Sequence, residues 1–542
     1  MNALQHIPLP LNEPAKSYAP GSPEKAEVKA ALARMRAVSI EIPLIIGGKE
    51  VRTGVFGECR IPHDHAHILA RFHKAGQREM RMAIDAALAA WRTWSVMSWE
   101  ERASISLKAA ELISKHFRAE INAATMLGQS KTVHQAEIDA VCELCDFLRF
   151  NTYFMQQIFQ VQPESFAATW NRLEYRPLEG FVFAVSPFNF TAIGGNLAMA
   201  PVVMGNVCVW KPSSTAVYSS HVVMRILREA GLPDGVINFV PGDASVIGEY
   251  TLKDYNLAGL HFTGSNAAFD RMWRTIGEDV SRYRSYPRVV GETGGKDFVV
   301  AHHSAEVTGL ATCLIRGSFE YQGQKCSATS RAYIAKSLWR PLLEEMKTQL
   351  ARVKAGPVED FTNFMGAVID KASFENVKSY IDYARTSPEA EIVHGGVCDE
   401  SVGYFVEPTV VLTTNPRFKL MEEEIFGPVL TVYCYDDDDY AQALDLCNTT
   451  SPYALTGSIF ARDRQAVNQA ADALRHAAGN FYINDKTTGA TVGHQPFGGA
   501  RASGTNDKAG SIYNLLRWTS VRTIKECFNT PTDIGYPFLS EE

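Results

Sequence analysis

No run of apolar residues in this 542-residue chain approaches the ~20 needed to span a bilayer. Charge of one sign is equally scarce. With 53 basic and 60 acidic residues the net charge is −7, too mild and mixed for a nucleic-acid or anionic-membrane surface. Neither GxGxxG nor the GxxxxGK[ST] phosphate loop occurs, so a standard Rossmann fingerprint is absent and kinase or NTPase chemistry loses its main support. The ten cysteines are scattered rather than framed, which points to a reducing compartment and buried thiols. Cys142 and Cys145 form a CxxC without a second pair at zinc-ligand spacing, so they are read as two thiols on one helix, with no metal expected. The first sixteen residues, MNALQHIPLPLNEPAK, lack a basic n-region and an apolar h-region. Arginine is missing before Arg34, against a mitochondrial transit peptide. The expected setting is cytoplasmic, or the mitochondrial matrix for a chain numbered after processing.

What remains is an ordinary globular composition, 46% hydrophobic and 21% charged, long enough for two large domains. Residues 1–23 read as an extended arm, after which Ser22-Pro23-Glu24 opens a helix with serine as N-cap. Residues 79 to 160 are periodic and almost free of glycine and proline, hence helical. From 180 to 292, short β-rich runs recur at Gly180–Val185, Asn206–Trp210, Val236–Val240, Leu257–Phe262 and Arg288–Gly291, with helical patterns between. A second alternating set runs from about 298 to 484. The fold class is therefore α/β: two parallel-sheet domains with a helical N-terminal portion on the first. Ligands of such sheets bind at the C-terminal strand ends.

Those ends carry the chemistry. Ser186-Pro187-Phe188-Asn189-Phe190 puts an amide at a strand tip, able to donate to an oxyanion or simply to form an Asx-turn. Lys211, after the next strand, could hold a ribose hydroxyl or remain solvated. Thr263-Gly264-Ser265 precedes a helix whose free N–H groups suit a phosphate. Glu292, in Gly291-Glu292-Thr293-Gly294-Gly295-Lys296, sits where burial would raise its pKa toward that of a general base. Thirty-four residues on, Gly323-Gln324-Lys325-Cys326-Ser327-Ala328 offers a thiol that alone would read as structural. Glu423-Glu424-Ile425-Phe426-Gly427-Pro428 adds a carboxylate beside an aromatic.

In this order the motifs closely resemble the aldehyde dehydrogenase superfamily, nearly end to end. The resemblance implies two α/β domains, Rossmann-like and catalytic, with a small oligomerisation flap. It casts Cys326 as nucleophile, Glu292 as general base, and Asn189 with the Cys326 backbone N–H as oxyanion donors. The implied cofactor is NAD, bound through Ser186, Lys211, Ser214, Gly264, Ser265, Glu424 and Phe426. NADP is admitted because Ser214 stands where many NAD-preferring relatives carry a glutamate that repels a 2′-phosphate.

The segments 128–140, 179–198 and especially 481–510 resemble the branch that oxidises L-glutamate γ-semialdehyde, formed from Δ1-pyrroline-5-carboxylate in proline breakdown, to L-glutamate. That likeness implies substrate contacts at Ser327, Gly489 and Ala490, flanking by Phe190 and Phe497, and Glu137 near the ammonium end. A glycine turn presenting consecutive N–H groups is a reasonable carboxylate nest. The implied partners are this small molecule, a second copy of the chain in a dimer or larger assembly, and a proline dehydrogenase. The implied domains are 1–58 as arm and helix, 59–165 with 178–296 for the cofactor, 297–484 for catalysis, 166–177 with 511–530 as flap, and 485–510 as substrate anchor. Two rivals stay open at this stage: another semialdehyde or acylating dehydrogenase, against which Glu292 speaks, and a non-catalytic relative.

Overall fold

The computed structural model describes residues 5–541. The first seven-stranded sheet takes five strands from the 180–292 region: Phe181–Val185, Val207–Lys211, Ile237–Phe239, Leu257–Thr263 and Arg288–Glu292, all parallel, with Arg288–Glu292 at one edge. The strands that begin at Phe181 and Leu257 lie side by side, so the order runs Arg288, Leu257, Phe181, Val207, Ile237 and reverses beside Phe181–Val185. Such a reversal opens a crevice at the strand ends. Residues 44–51, expected within the N-terminal arm and helix, instead add two antiparallel strands, Leu44–Ile46 and Lys49–Val51, to this sheet's edge. Phe181–Val185 and Val207–Lys211 are buried along their whole length, as their apolar runs require.

The second seven-stranded sheet is parallel apart from one edge pair, with Asp297–Ala301 and Thr329–Ala335 at its centre. Each sheet has its own hydrophobic core. Thr169–Pro177 and Thr519–Cys527 pair antiparallel over nine residues and form a separate two-stranded ribbon. Residues 77–159 form a layer of helices against the first sheet, and within it Glu137–Glu143 is a π-helical stretch. Within the described residues the arm carries no helix or strand before Pro23, as expected, its residues 1–4 lying outside the described residues, and the Ser22 hydroxyl accepts from Lys25 N at the start of the helix Pro23–Arg36. No described helix is long and apolar enough to cross a membrane.

Candidate active site

Four strand tips of the first sheet converge on one cleft of about 380 Å³, lined by Ser186, Asn189, Lys211, Gly264, Ser265, Glu424, Phe426 and Cys326 among others. The helix Asn266–Gly277 points its N-terminus there, and Ser265 at its N-cap makes no side-chain capping bond. Its first N–H groups are thus free for an anion such as a pyrophosphate. Lys211 is buried at its strand tip, which lowers its pKa to about 8, and its Nζ donates to Pro212 O at 3.0 Å. The Glu424 carboxylate accepts from Gly295 N at 2.9 Å. A Cβ at residue 294 would stand 2.1 Å from Glu424 Oε2, so the close approach of this carboxylate demands glycine there. Burial raises Glu424 to about 7. Phe426 meets Phe188 edge-on with ring centroids 5.7 Å apart. Of the residues predicted for this cleft, Ser214 alone is off its wall, in the short turn Ser214–Ala216, where Ser213 lines the cleft instead. The anion-ready helix end, the buried lysine and the clamped carboxylate together fit a dinucleotide.

Cys326 is delivered by a strained turn. After the helix Val307–Phe319, Tyr321 and Gln322 adopt left-handed φ of 51° and 56° although both are buried non-glycines. The turn is held from outside: Gln322 Oε1 accepts from Gly366 N at 2.8 Å, its Nε2 donates to Ala367 O at 2.7 Å, and Gln324 Oε1 accepts from Ile369 N at 2.9 Å. Asn189 Nδ2 donates to Gln324 O at 3.1 Å, so the predicted oxyanion donor stands beside the nucleophile's loop. Burial, with Asp297, Glu292 and Glu424 nearby, holds the Cys326 thiol well above its usual pKa. Glu292 ends its strand in a desolvated niche that raises its pKa well above the carboxylate range, opposed by Gly499 N at 3.2 Å and by Lys508.

Cys326 also borders a second cavity of about 380 Å³, on whose walls lie Phe190, Ser327, Gly489, Ala490 and Phe497, all five as expected. Glu137 is not among them. It is 0% exposed, with Arg118 and Lys16 N on Oε1 and Tyr18 Oη (2.7 Å) and Asn122 (2.8 Å) on Oε2, so no oxygen is left for a substrate. That expectation is corrected by Glu143, at the other end of the π-helical stretch, which lines the cavity. No described residue hydrogen-bonds its carboxylate, and burial with nearby Asp139 raises it to about 8. Sequence reasoning also missed Lys325 and Lys486 on the wall. Both stood inside quoted motifs, one residue before the nucleophile and three before Gly489. Lys486 Nζ lies 3.1 Å from where a Cβ on Gly489 would be, so the amine overhangs the glycine turn. The cavity therefore presents the Lys486 amine, the Lys325 amine paired with Glu320 at 3.2 Å, and a Glu143 carboxyl without a described partner, groups that suit an α-amino acid.

A buried ion pair braces Phe190 of the chamber against the turn that leads to Cys326. Lys131 Nζ contacts Asp139 Oδ2 at 2.7 Å and lies 4.0 Å from the Phe190 ring centre and 4.5 Å from that of Tyr321. Asp139 accepts from Thr191 N at 3.0 Å and Ala192 N at 2.8 Å. It thereby caps the helix Thr191–Val203, whose own N-cap, Phe190, has no side chain able to do so. Cys142 and Cys145 are free thiols, and no described group of three or more His, Cys, Asp or Glu is disposed to hold a metal.

Comparison with known proteins agrees with this geometry. A Dictyostelium discoideum protein described as mitochondrial delta-1-pyrroline-5-carboxylate dehydrogenase is 52% identical over 540 residues, covering 99% of this chain and 97% of its own. The crystal structure of the Mycobacterium tuberculosis delta-pyrroline-5-carboxylate dehydrogenase bound with NAD superposes with a TM-score of 0.97 at 50% identity, covering 100% of both chains. The 1-pyrroline-5-carboxylate dehydrogenase from Thermus with bound NAD gives 0.90 at 32% identity, covering 97% of this chain and 100% of its own. The aldehyde dehydrogenase family profile matches residues 56–524. With its two parallel sheets, its thiol between two cavities and these likenesses, the chain belongs to the aldehyde dehydrogenase family.

Proposed function

We propose that this protein oxidises L-glutamate γ-semialdehyde, the open form of Δ1-pyrroline-5-carboxylate, to L-glutamate with NAD. The observation that carries the reading is the position of Cys326 in the wall of both cavities, one suited to a dinucleotide and one to an amino acid. NAD would be held by the N–H groups after Ser265, by Lys211 at the adenosine ribose and by Glu424 at the nicotinamide ribose, and when bound it supplies the hydride acceptor. In the aldehyde chamber the Gly489–Ala490 turn, Ser327 and the overhanging Lys486 take the α-carboxylate, Glu143 takes the ammonium, and Phe190 and Phe497 flank the methylenes.

Cys326 thiolate adds to the aldehyde carbon, and the resulting oxyanion is held by the Asn189 amide and the Cys326 N–H. Once the carbon is oxidised to a thioester, Glu292 takes a proton from water, which attacks the thioester and releases glutamate. The raised pKa of Glu292 suits a base that must accept that proton near neutral pH. Pyrroline-5-carboxylate is what oxidation of proline's ring yields, which supports a proline dehydrogenase as supplier. Free thiols throughout support a reducing compartment, either cytoplasm or mitochondrial matrix. The ribbon Thr169–Pro177/Thr519–Cys527 stands apart from both seven-stranded sheets and exposes Trp170 and Val521, which supports pairing with a second copy.

The test is NAD reduction with pyrroline-5-carboxylate, succinate semialdehyde and propanal. A strong preference for the first, with all turnover lost by more than about 10⁴-fold in Cys326→Ala, is expected. Equal turnover of the three overturns the substrate, and silence with every aldehyde overturns the chemistry.

A further inference from the structure

The aldehyde chamber has a wall that belongs to neither domain. Asn12, Glu13 and Ala15 of the N-terminal arm line it. An extended arm has no hydrogen bonds of its own, so its position depends on what it touches. Glu13 pairs with Arg118 at 2.7 Å and Arg149 at 2.8 Å, its backbone N–H donates to Asp146 Oδ1 at 2.7 Å, and Lys16 N donates to Glu137 Oε1 at 2.8 Å. Glu137, misassigned to the substrate, thus serves to anchor the arm.

Between these contacts Asn12 makes three hydrogen bonds. Its Nδ2 donates to Asp146 Oδ2 at 2.7 Å on the helical layer and to Val492 O at 2.8 Å, and its Oδ1 lies 3.0 Å from His494 Nε2. Val492 and His494 are in the loop that carries Gly489 and Ala490. That loop has no helix or strand between Ile483 and Ala500, and Gly489 and Gly493 have φ of +94° and +83°. Among the described residues its other hydrogen bonds between Thr488 and Gln495 run within the loop, as from Thr491 N to Gln495 Oε1 at 2.9 Å. One asparagine, 480 residues away in sequence from its loop partner, therefore spans from the helical layer to the anchor loop.

We propose that Asn12 is a positioning residue for the substrate: by fixing Val492 and His494 against Asp146 it sets where the Gly489–Ala490 N–H groups meet the α-carboxylate. The N-terminal arm thereby governs how strongly an amino-acid aldehyde is preferred over a plain one. The inference rests on the reading of Gly489–Ala490 as the carboxylate anchor.

The experiment compares wild type, Asn12→Ala and Leu11→Ala, the last at a neighbouring side chain that is 82% exposed. Steady-state kinetics with pyrroline-5-carboxylate and propanal, and inhibition by glutamate, are measured on the full chain. Asn12→Ala should raise KM for pyrroline-5-carboxylate and the glutamate inhibition constant together by about tenfold, the scale of one or two lost hydrogen bonds. Its kcat should stay within about twofold. Leu11→Ala should match wild type. Unchanged KM and inhibition constant in an Asn12→Ala enzyme that still turns over propanal overturn the proposal. So does a parallel loss with both aldehydes, which marks a packing role, and so does an inactive or unfolded variant. A wild-type enzyme that neither prefers pyrroline-5-carboxylate nor is inhibited by glutamate removes the anchor reading itself, and that failure is visible without any variant.

Discussion

The two cavities that meet at Cys326 have the same volume, about 380 Å³, and are built on opposite plans. The cofactor cleft is made by repetition: parallel strands each end in a short turn at the same sheet edge, so successive turns after the strands gather at one place. The aldehyde chamber is made by assembly. The arm near Asn12, the helical layer from His134 to Phe147, Phe190, the nucleophile loop and the anchor loop arrive from five places with no rule of periodicity among them. A sheet edge thus supplies a generic grip on a dinucleotide, while an assembled chamber supplies the discrimination between aldehydes.

That contrast breaks first, and hardest, beside the residue the two cavities share. Asn189→Ala removes the amide beside Cys326 without changing a residue that lines the aldehyde chamber, and should lower kcat by about 10²–10³ for pyrroline-5-carboxylate and propanal alike. A loss confined to one aldehyde would move Asn189 out of the oxyanion role and into the chamber.

The thiol itself offers the next test. Its pKa is raised, so in the free enzyme the neutral thiol dominates at pH 7 and the reactive thiolate grows as pH rises toward that pKa. Alkylation of the apoprotein at Cys326 by iodoacetamide should accelerate about tenfold per pH unit from 7 to 9, roughly a hundredfold in all. A rate already level at pH 7.5 would mean that the burial and the neighbouring carboxylates do not control this sulfur.

The smallest expected effects separate the two sides. Glu143→Gln keeps the shape of the chamber but removes the carboxyl that a bound ammonium would ionise, and should raise KM for pyrroline-5-carboxylate about tenfold while leaving NAD affinity unchanged. Lys211→Met should do the converse, weakening NAD about tenfold by calorimetry with little change in aldehyde KM. If each variant disturbed both ligands equally, the two cavities would be one coupled site rather than two.

The same contrast governs how much could be read beforehand. The strands at 181, 207, 237, 257 and 288, and the tips that follow them, were legible because buried parallel strands are continuous apolar runs and the turns after them are marked by glycine, proline and asparagine. Leu44–Ile46 and Lys49–Val51 were not, since strands of three residues carry too little pattern to separate from a loop. In the chamber, Ser327, Gly489, Ala490, Phe190 and Phe497 followed from resemblance alone. Glu137 and Glu143 are both acidic, six positions apart on one helical stretch. A π-helical segment between them shifts the face each presents, and only coordinates reveal that Arg118, Tyr18 and Asn122 claim the first. Asn12 left no local signal because its partners are far away in sequence.

A sulfur reachable from two directions also has a pharmacological meaning. An electrophile carried on a nucleotide-shaped scaffold and one carried on an amino-acid-shaped scaffold would compete for the same covalent bond while sharing almost no other contact. The first would exploit walls drawn from sheet tips and be prone to strike many dehydrogenases built on the same plan. The second would have to satisfy Lys486, Glu143 and the arm at once, and selectivity in a covalent inhibitor should accordingly be sought through the chamber's mouth.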